Sequence, residues 1–225
     1  MSNYHLIVYG ATSFVGQLLT RYLFERHGAQ GDFRWAIAGR SQSKLATLRS
    51  SLGSAAQSLP IVLADAADEA ALMAMCQQTK VVVSTVGPYA LYGSPLVKVC
   101  AHSGTDYCDL TGEPQWIAKM IDAHQAAAQA SGARIVHCCG FDSVPSDMGT
   151  YYLQQQAQQQ FGQPCSRVKL RVKAIRGGIS GGTVASIMEL VKEAAADPAL
   201  RKLMANPFAL CPTSQGKPKQ PNVQF

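Results

Sequence analysis

The residues whose types and spacing best suit chemistry form a glycine-bounded turn near the start of the sequence, Gly10-Ala11-Thr12-Ser13-Phe14-Val15-Gly16. Gly10 would permit a tight turn, and Gly16 would let a following helix pack closely on a sheet. Because free amides at a helix N-terminus bind phosphate groups, the turn is a candidate pyrophosphate site. Ser13 stands where the dinucleotide-binding fingerprint usually has its middle glycine, and an ordinary strand–helix junction can have the same residues. The turn therefore needs support from the rest of the chain.

A second polar cluster follows the next β-rich stretch and comprises Gly39, Arg40, Ser41 and Lys44. A dinucleotide-binding unit has an acidic residue here when it hydrogen-bonds the 2′-hydroxyl of NAD. Arg40 instead offers a fork of donors that suits a 2′-phosphate, so the sequence favours NADP(H). The alternative is that Ser41 caps a helix beside two solvated cations. Asp65, after the following strand, either borders the adenine or belongs to a helix cap.

A third group lies after the fourth predicted strand, where Gly87 is followed by Tyr89 and Tyr92. Ligands bind beyond the carboxyl ends of strands in an open parallel sheet, so Gly87 would let a ribose or nicotinamide approach the backbone. A turn with packed aromatic side chains explains these residues equally well.

The side chains that could supply a proton are Tyr89, Glu113, His137 and Asp142, all predicted at carboxyl ends of strands. None of them belongs to a recognisable acid–base pair, so the sequence assigns no catalytic residue. No tyrosine is followed by a lysine four residues later, which argues against a short-chain dehydrogenase. The cysteines have no C-x-x-C spacing, and we expect no metal site.

The elements that must position these residues alternate regularly along the chain. Apolar, β-rich stretches separated by helical periodicity occur at 4–9, 33–38, 60–65, 81–86, 106–110 and 134–139. This order predicts an α/β fold, a Rossmann-type doubly wound parallel sheet, as an NADP-binding domain over residues 1–145.

The pattern changes after this domain. Residues 146–205 are predicted to begin an α+β substrate or dimerisation domain, with a helix over 147–161, a half-exposed alternating strand over 166–173 and a helix over 184–204. Residues 206–225 are predicted to form an irregular tail. One strand and one long helix cannot bury a core alone, so we expect the sequence to be part of a longer protein.

Bulk composition limits the class of protein. Hydrophobic residues make up 47% and charged residues 15% of the 225 residues, so a sizeable buried core is expected. The formal net charge of +6 suits an anionic small molecule as well as a generally basic surface. No Lys/Arg run is interleaved with aromatic residues, which disfavours nucleic acid as a partner.

The cysteines and the N-terminal residues indicate the cellular compartment of the protein. Most of the seven cysteines lie in apolar runs, and no basic leader precedes an apolar core at the N-terminus. We therefore expect a reducing, cytoplasmic setting without a secretory signal. The basic face formed by Lys169, Arg171 and Lys173 suggests a lipid or membrane surface as a further partner.

Several segments in a fixed order together resemble the saccharopine dehydrogenase-like oxidoreductases, the branch that includes trans-acting enoyl reductases of bacterial lipid synthesis. The resemblance covers essentially the whole chain. It is carried by the Gly10–Gly16 turn and by Ala38-Gly39-Arg40, Thr85-Val86-Gly87-Pro88-Tyr89, Gly104-Thr105-Asp106-Tyr107, Asp109-Leu110-Thr111-Gly112-Glu113, Gly140-Phe141-Asp142-Ser143-Val144-Pro145-Ser146-Asp147 and Gly177-Gly178-Ile179-Ser180-Gly181-Gly182-Thr183.

The resemblance implies an NADP-binding Rossmann domain followed by a second α+β domain, with a homodimer expected for the full-length protein. Arg40 would lie on the 2′-phosphate, and the pyrophosphate would be surrounded by Gly10, Thr12, Ser13, Phe14 and Val15. The nicotinamide ribose would lie by Val86, Gly87 and Tyr89. The implied function is hydride transfer to or from a C=C or C=N bond of a small or lipid-like substrate. The alternative is a non-catalytic NADP-binding sensor or scaffold.

Overall fold

The structure is a computed structural model that describes residues 2–174, 176–177, 181–206 and 208–212. Its strands are β1 (Tyr4–Tyr9), β2 (Trp35–Gly39), β3 (Ile61–Leu63), β4 (Thr79–Ser84), β5 (Asp106–Asp109) and β6 (Ile135–Val136). Its helices are α1 (Phe14–His27), α2 (Gln42–Ser51), α3 (Glu69–Cys76), α4 (Tyr89–Tyr92), α5 (Ser94–Ser103), α6 (Pro114–Ser131), α7 (Val144–Phe161), α8 (Gly181–Ala196) and α9 (Pro198–Met204).

The described strands form one parallel sheet in the order β3-β2-β1-β4-β5-β6. The central strand β1 pairs with β2 on one side and with β4 on the other, and Val8 lies opposite both Ile37 and Val83. The direction of winding reverses between β1 and β4, which is where open parallel sheets bind ligands. The predicted Rossmann-type doubly wound parallel sheet is confirmed.

Helices cover both faces of the sheet because its strands are apolar on both faces. Val8 and Ile37 pack on one face with Leu45 of α2 in the same buried cluster. Ile7 and Val82, which point the opposite way, pack against side chains of α3, α5 and α6. Successive side chains of β1 thus point to opposite faces of the sheet and belong to two separate cores.

The strand predicted over 166–173 is wrong. These residues are irregular in the structure, and Leu170 and Val172 are exposed. Alternating apolar and basic residues form a strand only where a neighbouring strand completes their backbone hydrogen bonds. Within the described sheet, none of the strands runs beside this stretch.

The single helix predicted over 184–204 is also wrong, because the chain breaks it into α8 and α9. Asp197 separates them, and its carboxylate accepts a hydrogen bond of 2.8 Å from the Ala199 amide. Pro198 follows, and a proline tolerates the first turn of a helix but not its interior.

Several other boundaries differ from the predictions by one to three residues, most of all at the sixth strand and at α7. The sixth strand has two residues, Ile135 and Val136, because the chain turns at Cys138, whose φ is 61°. Helix α7 begins at Val144, before the predicted start of its helix. Most of the predicted tail over 206–225 and residues 178–180 of the glycine-rich segment lie outside the described residues.

Over the described ranges of the chain, no helix has both the length and the hydropathy needed to cross a bilayer.

The buried centre of β2 gives a direct test of the core. We expect Ile37→Ala to lower the free energy of unfolding by about 2–5 kcal/mol, because the truncation leaves a cavity beside Val8 and Leu45. Urea unfolding followed by circular dichroism measures the change. Leu18→Ala on α1 is the control, because Leu18 is 53% exposed and should change stability little. Equal unfolding midpoints for Ile37→Ala and the wild type would contradict this description of the core.

Candidate cofactor-binding site

The Gly10–Gly16 turn joins β1 to α1 at the carboxyl end of the central strand. Gly10 has a φ of 80°, and a Cβ there would lie 2.6 Å from Val86 Cγ2. A Cβ at Gly16 would collide with the carbonyl oxygen of Gly10. Both positions therefore require glycine, as their types in the sequence indicated.

The first amides of α1 remain available to a ligand. The backbone N–H groups of Phe14 and Val15 precede the internal hydrogen bonding of the helix and have no acceptor among the described residues. Free amides at a helix N-terminus carry partial positive charge and bind phosphate oxygens. The turn can therefore supply two donors to a pyrophosphate.

Ser13 uses its hydroxyl inside the protein. Its Oγ accepts a hydrogen bond of 2.9 Å from the Gly16 amide and caps α1. The same oxygen lies 2.9 Å from Thr85 Oγ1, which in turn lies 2.9 Å from the Gly10 carbonyl oxygen. A hydroxyl has one hydrogen, so when Thr85 donates to Gly10, Ser13 donates to Thr85. Ser13 thus ties the turn to the end of β4, a role that the sequence did not reveal.

A cleft of about 310 Å³ opens at this edge of the sheet. Side chains from the first turn, the ends of β4 and β5 and helix α8 line it together. The lining residues are Ser13, Phe14, Val15, Thr85, Gly87, Tyr89, Leu110, Gly112, Glu113, Asp142, Gly182, Thr183, Ser186, Ile187 and Leu190. The structure therefore brings Ser13, Phe14 and Val15 of the first group together with Gly87 and Tyr89 of the third. Tyr92, which the sequence predicts beside them, does not line this cleft.

The second predicted group lies at the end of β2. Arg40 and Lys44 are exposed, and the Ser41 hydroxyl accepts a hydrogen bond of 3.4 Å from the Lys44 amide as the N-cap of α2. Ser41 thus caps α2, and both cationic side chains stay accessible to an anion. Gly39 is the last, buried residue of β2 and places Arg40 at the edge of the sheet.

Asp65 and Arg40 both lie within electrostatic range of Tyr9. Burial raises the pKa of Tyr9, the Asp65 carboxylate raises it further and Arg40 opposes the shift, so both charges face the end of β1. The Asp65 carboxylate accepts a hydrogen bond of 2.9 Å from the Ala67 amide, whereas Asp68 caps α3. Asp65 therefore stabilises the turn after β3 at the side of the sheet where an adenine is predicted.

Tyr89 contributes its ring rather than a free hydroxyl to the cleft. The residue is 5% exposed, and its hydroxyl donates a hydrogen bond of 3.0 Å to the Ser84 carbonyl oxygen. Burial is the largest cause that raises the pKa of Tyr89, and the nearby Asp109 carboxylate adds to the shift. These contacts favour a structural role for the hydroxyl.

Of the remaining candidate proton donors, Asp142 lines the cleft and His137 does not. Asp142 is an exposed carboxylate that lines the cleft. His137 lines a separate groove of about 400 Å³ between α6 and β6, and its Nδ1 lies 2.7 Å from Asp109 Oδ2. Asp109 also accepts from the Tyr107 hydroxyl and from two backbone amides, so this buried carboxylate joins β5 to the chain after β6.

Glu113 lies in the cleft wall but is only 3% exposed. Its carboxylate accepts hydrogen bonds from the amides of Tyr89 and Ala90 and from the Ser186 hydroxyl. Three of the four candidate proton donors therefore border the cleft, and Asp142 is the one of these three that is exposed. Among the described residues, no cluster of three or more His, Cys, Asp or Glu side chains is arranged to hold a metal ion.

Helix α8 is the part of the site that sequence reasoning missed. Its cleft-facing residues Thr183, Ser186, Ile187 and Leu190 follow helical spacing, which is visible in the sequence. The spacing identifies one face of a helix, but only the tertiary structure shows that this face covers the cleft.

The sheet and the turn that form this site also occur in a known protein family. Residues 6–136 match the saccharopine dehydrogenase NADP-binding domain family, and the chain belongs to that family. The predicted family and its NADP(H) cofactor are thereby confirmed. Saccharopine dehydrogenase (L-Glu forming) from Saccharomyces cerevisiae shares the fold with a TM-score of 0.50 at 16% identity, over 69% of this chain and 32% of that chain.

Two mycobacterial relatives match almost the whole chain. One, from Mycobacterium tuberculosis (strain ATCC 25618 / H37Rv), is 44% identical over 216 residues and is provisionally named a trans-acting enoyl reductase. The other, from Mycobacterium leprae (strain TN), is 39% identical over 216 residues and is named a trans-acting enoyl reductase. Each match covers 96% of this chain and 51% of the relative, so the chain spans about half the length of these relatives.

The close approach at Gly16 can be tested by a matched pair of glycine substitutions. We expect Gly16→Ala to lower the free energy of unfolding by about 1–3 kcal/mol, since the added methyl must displace backbone. Gly149→Ala in α7 is the control, because nothing lies within 4 Å of a Cβ there. That control should raise stability by roughly 0.5–1 kcal/mol. Urea unfolding measures both, and a Gly16→Ala protein as stable as the wild type would refute the tight turn.

Proposed function

We propose that the full-length protein is an NADP(H)-dependent oxidoreductase that transfers hydride to or from a C=C or C=N bond of a small or lipid-like substrate. The observation that carries the proposal is the meeting of two loops at the point where the strand order reverses. There, the Gly10–Gly16 turn and the end of β4 are joined by the contact between Ser13 and Thr85. This position supports dinucleotide binding across the edge of the sheet.

The residues present fit such a cofactor. The amides of Phe14 and Val15 would hold the pyrophosphate, with Gly10, Thr12 and Gly16 shaping the turn around it. Arg40 and Lys44 would bind the 2′-phosphate beside Ser41, and Asp65 would border the adenine. The nicotinamide ribose would lie by Val86, Gly87 and the ring of Tyr89. When bound, a nicotinamide cofactor supplies or accepts the hydride.

The protein's own contribution is positioning, exclusion of water and the movement of a proton. Leu110, Ile187 and Leu190 give the cleft an apolar wall that suits an unsaturated carbon chain. Asp142 is the exposed carboxylate on that cleft and the candidate for proton exchange with a substrate. The names of the two mycobacterial relatives support a C=C bond as the acceptor.

The compartment, the oligomeric state and a lipid contact of the protein can also be proposed. A cytoplasmic homodimer is proposed for the full-length protein from the family resemblance, and light scattering would test the dimer. Lys169, Arg171 and Lys173 lie on an exposed irregular stretch, which supports contact with anionic lipid. Co-sedimentation with anionic vesicles that does not respond to salt would argue against a charge-driven contact.

Binding and turnover should be measured separately on the full-length protein. Cofactor fluorescence reports NADPH binding, and loss of NADPH absorbance reports hydride transfer to an enoyl thioester (crotonyl-CoA) or a cyclic imine (pyrroline). Oxidation with either probe supports the enzyme. Tight NADPH binding without oxidation by either probe would favour the sensor or scaffold, a reading consistent with the internally bonded side chains of Tyr89 and Glu113.

The choice of cofactor tests Arg40 directly. We expect Arg40→Ala to weaken NADPH binding by about 1.5–3 kcal/mol, because a charge-assisted contact with the 2′-phosphate is lost. NADH binding should change little. Arg34→Ala is the matched control, since Arg34 is an exposed arginine that precedes β2 at the opposite end of the same strand. Equal losses for NADPH and NADH would contradict the assigned contact.

A further inference from the structure

Helix α8 is held against the start of α6 by two side-chain contacts. Ser186 Oγ donates to Glu113 Oε1 at 2.7 Å, and Gln115 Nε2 donates to Glu193 Oε2 at 3.2 Å. Ser186 and Glu193 lie about two turns apart, so they project from one face of α8. Ser186 also lines the cleft, as do its neighbours Ile187 and Leu190. The contacts that fix α8 therefore also fix one wall of the cleft.

The same Glu113 carboxylate holds the opposite wall. Its Oε1 accepts from the Tyr89 amide at 2.9 Å, and its Oε2 accepts from the Ala90 amide at 2.7 Å. Tyr89 and Ala90 begin α4, whose N-cap residue Pro88 provides no side-chain hydrogen bond. Unpaired amides at a helix start need an acceptor, and Glu113 supplies it from another element. Gly87, the predicted neighbour of the nicotinamide ribose, lies two residues before this helix.

The Glu113 carboxylate is buried and accepts three hydrogen bonds from the protein. Within the described residues it has no ion-pair partner, so hydrogen-bond donors alone balance its environment. Both acceptor positions of Oε1 are filled, by the Tyr89 amide and the Ser186 hydroxyl. Exchange of a proton at Oε1 would require breaking these contacts. The carboxylate is therefore better placed to hold the two walls than to react.

We propose that Glu113 is a positioning residue that sets the separation between the loop at 87–90 and helix α8, and thereby the fit of cofactor and substrate. The inference rests on the proposed function, because the ligands of the two walls are those proposed above. Its physical basis is that one buried carboxylate bonds to both walls at once. Loss of that acceptor would leave buried donors unsatisfied on both sides of the cleft.

The first test replaces the carboxylate by an amide of the same size in the full-length protein. In Glu113→Gln one terminus becomes an NH₂ donor, which must face either the Ala90 amide or the Tyr89–Ser186 pair. We expect the Kd for NADPH and the KM for crotonyl-CoA each to rise about tenfold. The pH dependence of kcat should keep both limbs, because no proton donor is lost.

The second test keeps Glu113 and releases only α8. Ser186→Ala should raise the KM for crotonyl-CoA severalfold while the Kd for NADPH stays unchanged, since the bonds to Tyr89 and Ala90 persist. Because both substitutions act through one contact, the double variant should raise KM no more than Glu113→Gln alone. Ser131→Ala is the matched control: its hydroxyl, at the far end of α6, donates to the carbonyl oxygens of Ala101 at 2.6 Å and Ala128 at 3.3 Å.

A readout without turnover separates this inference from the proposed function. Hydrogen exchange should show faster exchange of α8 amides in Glu113→Gln and Ser186→Ala, but not in Ser131→Ala. This result supports positioning even if wild-type protein oxidises no NADPH, in which case only the proposed function fails. Unchanged α8 exchange, together with a wild-type Kd for NADPH, would overturn the inference. So would a fall in kcat with loss of one pH limb at constant Kd, since that marks a proton donor.

Discussion

The structure depends on the parallel pairing of β1 with β4. This pairing brings together residues more than seventy positions apart, so that Thr85 Oγ1 lies 2.9 Å from both the Gly10 carbonyl oxygen and Ser13 Oγ. Since strand connections diverge from this point in opposite directions, the loops after β1 and β4 leave a gap between them. The Gly10–Gly16 turn and the loop after β4 are consequently two sides of one crevice.

Steric requirements and buried polar groups then shape this crevice. Gly10 and Gly16 allow close backbone packing around the turn. The Ser13 hydroxyl caps α1 and hydrogen-bonds to Thr85 at the end of β4. Glu113 joins α4 to α8 across the cleft in a comparable way. Buried polar groups are costly unless paired, so networks of this kind resist small displacements. Contacts within the protein thus fix the shape of the crevice.

The family match and the cleft cover overlapping but different parts of the chain. The family match covers the sheet from residue 6 to residue 136 and includes the Gly10–Gly16 turn, Arg40 and Glu113. Helix α8 follows that region, yet it forms a wall of the same cleft. These residues therefore belong to the shared domain, whereas the apolar wall with Ile187 and Leu190 lies outside the region that the family match covers.

The sequence by itself determined the order of elements, the glycines of the first turn and the cation at Arg40, because these depend on local periodicity, backbone conformation and residue chemistry. It did not determine the structure of 166–173, since a strand needs a partner that local alternation does not reveal. Only the tertiary structure decided that Ser13 bonds to Thr85, that Glu113 is buried between two helices and that α8 covers the cleft. Each of these rests on contacts between residues distant in sequence, which local patterns do not encode.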